Sequence, residues 1–407
     1  MTNIRLLTVL SAFFAAGGCV EPAAPLEPIL RSGKCGAWQC GANSPVVDNV
    51  LAFHDLHLQG LPNDAGLSLH RPAMVARGEE YDLAIENNQI VGRQLRHDEL
   101  WGNELVGAEI LLDTKDASPA YKIRIEKVRM LEFPFPEGVH EQQEVYVFSW
   151  SAAATPSGTT TDAGSSAPNP TFTNLCSNPP FEFFAKYGQN HNRVRSELFG
   201  MNPDEALVFS GDRIDANRKL MSETADPSWF NVGCAGHALA KLQLTRNTLA
   251  SRPPLPFLAS THAMRQATLK LLTADYCGTG RAFTVAGQPL GWKGSDAESK
   301  GNFDPVPIEA LNGIEAFWNE NGAICLTTPR VEQSDLPIAK EKFPDVRQDI
   351  ANECGPSLPL CSVSNSFSAQ SLRTSYNTHW TDPSAKSAPA GIPVYKQPGF
   401  GNIFSVR

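Results

Sequence analysis

Short apolar runs recur between positions 51 and 150, and several alternate apolar with polar residues. Tyr121-Lys122-Ile123-Arg124-Ile125-Glu126 alternates without a break, the pattern of a strand with one wet face. Runs at 51–58, 66–69, 81–86, 89–92, 106–112 and 144–150 are equally short and rich in β-branched, Leu or aromatic residues. Asn87-Asn88 separates two of them and suits a tight hairpin turn. The pattern predicts a small antiparallel β domain over residues 35–150.

The next stretch, 151–170, contains Thr159-Thr160-Thr161 and Ser165-Ser166 and has almost nothing to bury, so it reads as a linker or a long exposed loop. Beyond it strands and helices mix. Residues 206–209 and 229–232 read as strands and 238–242 as a helical turn. The clearest helix spans 260–274, with Ser260 or Thr261 as its cap and Ala263, Met264, Ala267, Leu271 and Leu272 as one apolar stripe. Gly278 stops it soon after Cys277. Residues 281–285 and 290–292 read as a hairpin about Gly287-Gln288-Pro289, and 314–318 with 323–326 as another. Pro344 opens a last short helix over 346–352. The tail, 362–407, is Ser- and Pro-rich and is expected to be irregular. The expected fold is mixed, β-rich α+β: the small N-terminal antiparallel β domain plus a C-terminal α+β domain over 171–361, stapled by disulfides.

Composition agrees with two cores. The chain has 407 residues, 42% hydrophobic and 19% charged, which is more than one core usually serves and excludes wholesale disorder. Its 31 Gly and 31 Pro favour many turns and short strands. A formal charge of −9 argues against nucleic acid or an anionic lipid surface as a partner, since either would repel it.

One segment gives an address. Arg5, the apolar run 6–16 and Gly17-Gly18-Cys19 have the parts of a secretory signal over 1–18, too short to span a bilayer as a mature helix. The Cys after the small pair matches the bacterial lipobox, with Ala16 where Leu is usual, so Cys19 is expected to carry the lipid (palmitate among its chains). Residues 19–34 would then be a lipidated, Pro-rich tether. Val20 and Glu21 lack the Asp next to the Cys that retains some lipoproteins at the inner membrane, which directs the expectation to the outer membrane of the cell envelope.

Nine cysteines less Cys19 leave eight: Cys35, Cys40, Cys176, Cys234, Cys277, Cys325, Cys354 and Cys361. An even number in an exported chain means disulfides in the simplest case. Cys35 with Cys40 and Cys354 with Cys361 would close short, turn-rich loops, leaving the other four to pair among themselves. No C-x-x-C pair supports zinc, and no metal or other cofactor is expected.

Candidate chemistry is sparse. Cys277, beside Asp275 and in a chain that offers His237 and His262, could act as a thiol nucleophile, although half of a disulfide explains it more simply. Asp212 or Asp275 near His237 is the carboxylate alternative. Gly278-Thr279-Gly280-Arg281 could cradle an anion on backbone amides or be a plain turn. His54 and His57 point to opposite faces of a strand, and His140-Glu141-Gln142-Gln143-Glu144 has Glu144 where a zincin needs His. There is no G-x-S-x-G elbow and no P-loop. A pocket lined by Trp229, Tyr276 and Arg281 would favour a small ligand.

Leu272-Thr273-Ala274-Asp275-Tyr276-Cys277-Gly278-Thr279-Gly280 resembles the motif of the ADYC-domain proteins, bacterial exported and often lipid-anchored proteins. Ser210-Gly211-Asp212-Arg213, the run from Trp229 through Cys234 to Lys241, and Gly322-Ala323-Ile324-Cys325-Leu326 are similar to family segments in the same order. The piece from Cys35 to Pro45 is similar to what precedes the domain in many members. The resemblance implies no enzyme class. Three readings follow: a surface-tethered binding or structural module for a protein or polymer ligand, a hydrolase of envelope or extracellular polymers, and an accessory subunit of an envelope complex.

Overall fold

The computed structural model describes residues 39–47, 53–94, 99–132, 142–152, 171–176, 200–215, 219, 226–245, 248, 261–286, 288–294, 314–334, 336–355, 358–361 and 372–375. The expected signal and tether with Cys19, the Cys35 end of the first expected staple, His140 and most of 151–170 lie outside the described residues.

The first strand, β1 (Gln39–Ala42), belongs to a small sheet, and the next eleven form one large antiparallel sheet. They are β2 (Leu56–His57), β3 (Ser68–Ala76), β4 (Glu79–Glu86), β5 (Gln89–Arg93), β6 (Glu99–Leu100), β7 (Glu109–Asp113), β8 (Tyr121–Glu132), β9 (Gln142–Ala152), β10 (Thr173–Asn174), β11 (Glu205–Gly211) and β12 (Asp226–Cys234). In space the order is β2-β12-β11-β9-β8-β7-β3-β4-β5-β6, with β10 also on β9. Asn87 and Asn88 turn β4 into β5 with φ of 50° and 63°, the left-handed pair that a two-residue hairpin turn needs. Alternation on β8 places Ile123 and Ile125 in the core beneath the sheet.

β11 and β12 differ from the outer strands because they are buried on both faces. Ala206, Val208, Phe230, Val232 and Cys234 join the core of the N-terminal strands, whereas Leu207 and Phe209 face a second core built with the helices. Val145–Val147 of β9 pairs with Glu205–Leu207 of β11, so strands on either side of 151–170 share one sheet.

The second core lies between this sheet and a five-stranded antiparallel sheet of order β1-β13-β16-β14-β15. Its later strands are β13 (Pro289–Gly294), β14 (Ile314–Asn319), β15 (Gly322–Leu326) and β16 (Leu372–Ser375). Helix α1 (Ala238–Leu244) packs on β12, α2 (His262–Thr273) packs on β14 and β15, and the two helices pack on each other. Two short helices follow, α3 (Pro337–Lys342) and α4 (Val346–Cys354), the second capped by Asp345, whose carboxylate accepts from Gln348 N. Among the described residues no helix is long and apolar enough to cross a membrane.

The fold departs from the sequence reading at four points. Residues 281–285 form no strand, and β13 takes β1 and β16 as its neighbours, because Thr284 and Val285 bind Asn43 instead of pairing. The tail holds a strand, β16, between β13 and β14. Cys354 and Cys361 do not pair: the described disulfides are Cys176–Cys234, Cys277–Cys354 and Cys325–Cys361, so two of the four cysteines expected to pair among themselves reach the last turns instead. Finally, α2 has no wet face, since Arg265, Gln266 and Lys270 are as buried as its apolar stripe.

A buried carboxylate also marks the N-terminal core. Tyr146 donates to Glu144 Oε2 at 2.5 Å and accepts from Ile90 N at 2.8 Å. Burial pushes the Glu144 carboxyl above its usual 4.5, and the Tyr146 bond only partly offsets this. A raised folded-state pKa gives stability that is present below the unfolded value and lost as pH rises through the folded one. Glu144→Gln, which can still accept from Tyr146, is therefore expected to be more stable than the native protein at neutral pH. The gap should close below pH 4.5. Thermal melts across that range read the difference, and parallel melting curves would refute a buried charge at this position.

Candidate functional site

Helix α2 ends because Ala274 takes a left-handed conformation, φ 53°, and its amide returns to Leu271 O and Lys270 O. The chain then turns tightly. Asp275 sends its N–H to Lys270 O at 2.9 Å, Phe283 N donates to Ala274 O at 3.3 Å and Ala323 N donates to Tyr276 O at 2.9 Å, which sews the turn to β15. Gly278, φ 68°, lies against the Asn321 carbonyl so closely that a Cβ would overlap it. Gly322 approaches from the other side, where a Cβ would stand 2.7 Å from Tyr276 O.

Asp275 and Tyr276 of this turn point inward, each about 1% exposed. Asp275 pairs with Lys270 at 2.5 Å, both about 1% exposed, and also accepts from Thr279 N at 3.0 Å and Gly280 N at 2.7 Å. The Gly278-Thr279-Gly280 backbone does cradle an anion, and that anion is the chain's own Asp275. Burial lowers the pKa of Lys270, with the Asp275 charge opposing it. Cys277 is bonded to Cys354 and so offers no free thiol in this state. The bridge fastens the turn to α4, where Arg281 pairs with Glu353 at 3.2 Å.

Tyr276 leads to two residues that the sequence did not single out. Its hydroxyl donates to Glu315 Oε1 at 2.6 Å and accepts from Arg330 N at 3.1 Å. Arg330 donates through Nε to the same Glu315 oxygen at 2.7 Å and through Nη2 to Leu271 O at 2.8 Å. Trp318 stacks on the Tyr276 ring with centroids 5.2 Å apart. Burial and the Glu315 charge push the phenol well above its usual 10.0, so it stays a neutral donor. Glu315 Oε2 and Arg330 Nη1 have no hydrogen-bond partner among the described residues, so the trio retains unused polar capacity in a dry setting.

A second polar cluster sits at the end of β11. Asp212 pairs with Arg265 of α2 at 3.1 Å inside the helical core. The next residue, Arg213, forks onto Asp55, Nε to Oδ1 and Nη2 to Oδ2 both at 3.1 Å, and lies over the Trp229 ring at 3.7 Å. His57 meets the Trp229 ring edge-on at 4.6 Å. Burial raises the pKa of Asp55, opposed by Arg213, and lowers that of His57. Asn231 ties the clusters together by donating to Asp212 O and accepting from Asp55 N.

The sequence candidates therefore separate. Asp212 and Asp275 have cations as partners, while His237 precedes α1 and its carbonyl accepts from Lys241 N. Trp229 lies with Arg213 and His57, Tyr276 with Glu315, and Arg281 at the surface with Glu353, so the three do not line one pocket. Among the described residues no group of three His, Cys, Asp or Glu is placed to hold a metal ion. Glu315 and Arg330 carried no motif signal. Only their charge within apolar surroundings, Ile314-Glu315-Ala316-Phe317-Trp318, could have drawn attention to a buried ion pair.

Sheet, helices and motif turn together define a disulfide-stapled α+β scaffold in which Asp275, Tyr276 and Cys277 bond within the fold. The family model of the ADYC domain matches residues 185–332, a stretch that includes the turn, Glu315 and Arg330. No curated protein and no solved structure matches the chain.

Proposed function

We propose that this protein is an exported envelope protein, held by lipid on Cys19, whose ADYC domain serves as a rigid binding or structural module. The observation that carries the reading is that Asp275, Tyr276 and Cys277 are all consumed by internal bonds, to Lys270, Glu315 and Cys354. A nucleophile or general base must instead face its substrate. The three described bridges support export, because such bonds persist in oxidising compartments. The run up to Cys19 and the Pro-rich residues that follow supply the anchor and the reach. The outer membrane is the address we favour, from Val20 and Glu21.

Labelling with radioactive palmitate followed by membrane fractionation tests the anchor. The native chain should be labelled and sediment with membranes, while Cys19→Ser should be unlabelled and exported in soluble form. A native chain without label would overturn the lipid reading and leave export to be judged from the bridges. Thiol counting on the unreduced protein tests the module reading: a reactive Cys277 would return the hydrolase reading to first place.

A further inference from the structure

Residues 39–47 run through the protein as a bound peptide does. β1 adds a strand to the edge of the small sheet, with Gln39 opposite Trp292 and Ala42 opposite Pro289. The chain then enters a groove formed by the start of α1, the end of α2 and residues Thr284, Val285 and Gln288. Asn43, fully buried, is held on every side. Its N–H donates to Gln288 O and its Oδ1 accepts from Gln288 N at 3.0 Å. Its Nδ2 donates to Val285 O at 2.8 Å and to Thr284 Oγ1, and its carbonyl accepts from Lys241 Nζ at 2.7 Å. Ser44 donates from N to Leu272 O at 2.8 Å and from Oγ to Gly236 O at 2.5 Å. Val46 O and Val47 O accept from Ala238 N and Leu239 N, the first amides of α1, and Val47 fills the core below.

We infer that this groove is a peptide-binding site of the ADYC domain, built for an extended Asn-Ser segment followed by apolar residues and filled in cis by residues 39–47. The groups that read the segment come from residues 236–288, within the family-matched stretch, whereas the segment lies nearly two hundred positions before them and outside that stretch. Strand addition supplies main-chain affinity, and the Asn43 and Ser44 contacts supply side-chain selectivity, the division of labour of β-augmentation. Without the segment the Gly236, Leu272 and Val285 carbonyls, the Gln288, Ala238 and Leu239 amides and the Lys241 ammonium would each lose a hydrogen-bond partner. The groove's donors and acceptors match the Asn43 and Ser44 side chains and backbone. The inference is independent of where the protein is anchored.

The test uses the full chain bearing Asn43→Ala and Ser44→Ala, with a fluorescent synthetic peptide of residues 39–47 (serine replacing Cys40) as probe. Anisotropy should show saturable binding to this variant and none to the native chain, whose groove is filled. A peptide carrying the same two alanines should bind at least about tenfold more weakly, from the loss of several hydrogen bonds. Equal binding of both peptides, or none to a variant that keeps its near-UV signal, would overturn the site. Should the variant not fold, hydrogen exchange on the native chain decides. Amides of Asn43 and Ser44 exchanging well before those inside α2 support a separable ligand, and exchange in step with α2 overturns it.

Discussion

Glu315→Ala lowers the stability of the oxidised protein by about 3–5 kcal/mol, the usual cost of stranding a buried charge. Arg330 is 0% exposed, and Glu315 is the anion paired with it at 2.7 Å. Alanine leaves the guanidinium without its counter-charge and also leaves the Tyr276 hydroxyl without its acceptor. Arg330→Met is expected to cost a similar amount, because it strands the carboxylate. The double replacement Glu315→Leu with Arg330→Met removes both charges together and should recover much of the loss. Urea unfolding of the four proteins, with bridges intact, gives the coupling energy. A loss below about 1 kcal/mol in both single variants would mean that the pair behaves as a solvated surface bridge and that the dry setting of Tyr276 is mistaken.

Gly278→Ala is expected to cost about 3 kcal/mol or more, and its position rather than its φ is the larger cause. At φ 68° an L-residue costs roughly 1–2 kcal/mol. The added methyl also meets the Asn321 carbonyl, which is backbone of the β14–β15 turn and cannot rotate away. Gly66→Ala is the control: its φ is 77°, but a Cβ there meets nothing within 4 Å. The difference between the two variants isolates the close approach from the conformational penalty. Equal losses would show that the turn has room at Asn321.

Local pattern located most of the elements. The β4–β5 and β14–β15 hairpins, β8, β9 and helix α2 were legible because each is specified by residues close in sequence: Asn87-Asn88 for a left-handed turn, alternation from Tyr121, a Thr261 cap. The motif turn was legible as a place but not as a device. Asp275 could be a base, a ligand or a cap by sequence, and only the nearness of Lys270 and of the Thr279 and Gly280 amides makes it an internal counter-ion.

The pairings could not be read because they join distant positions. Cys354 is closer in sequence to Cys361 than to Cys277, yet α4 carries it to the motif turn. The 281–285 run is apolar enough for a strand, yet Phe283 N donates to Ala274 O, and Thr284 Oγ1 and Val285 O accept from Asn43, which arrives from the far end of the chain.

The sequence by itself determined the class of fold, the β4–β5 and β14–β15 hairpins, the position of the main helix and the family motif, since these depend on local propensity and periodicity. The tertiary structure alone decided which cysteines meet, that α2 is buried on its polar side as well, and that Asn43 and Ser44 bond to residues 236–288. The physical reason is that a buried ion, amide or thiol is defined by the partner that satisfies it, and for the cysteines and Asn43 those partners lie tens to hundreds of positions away.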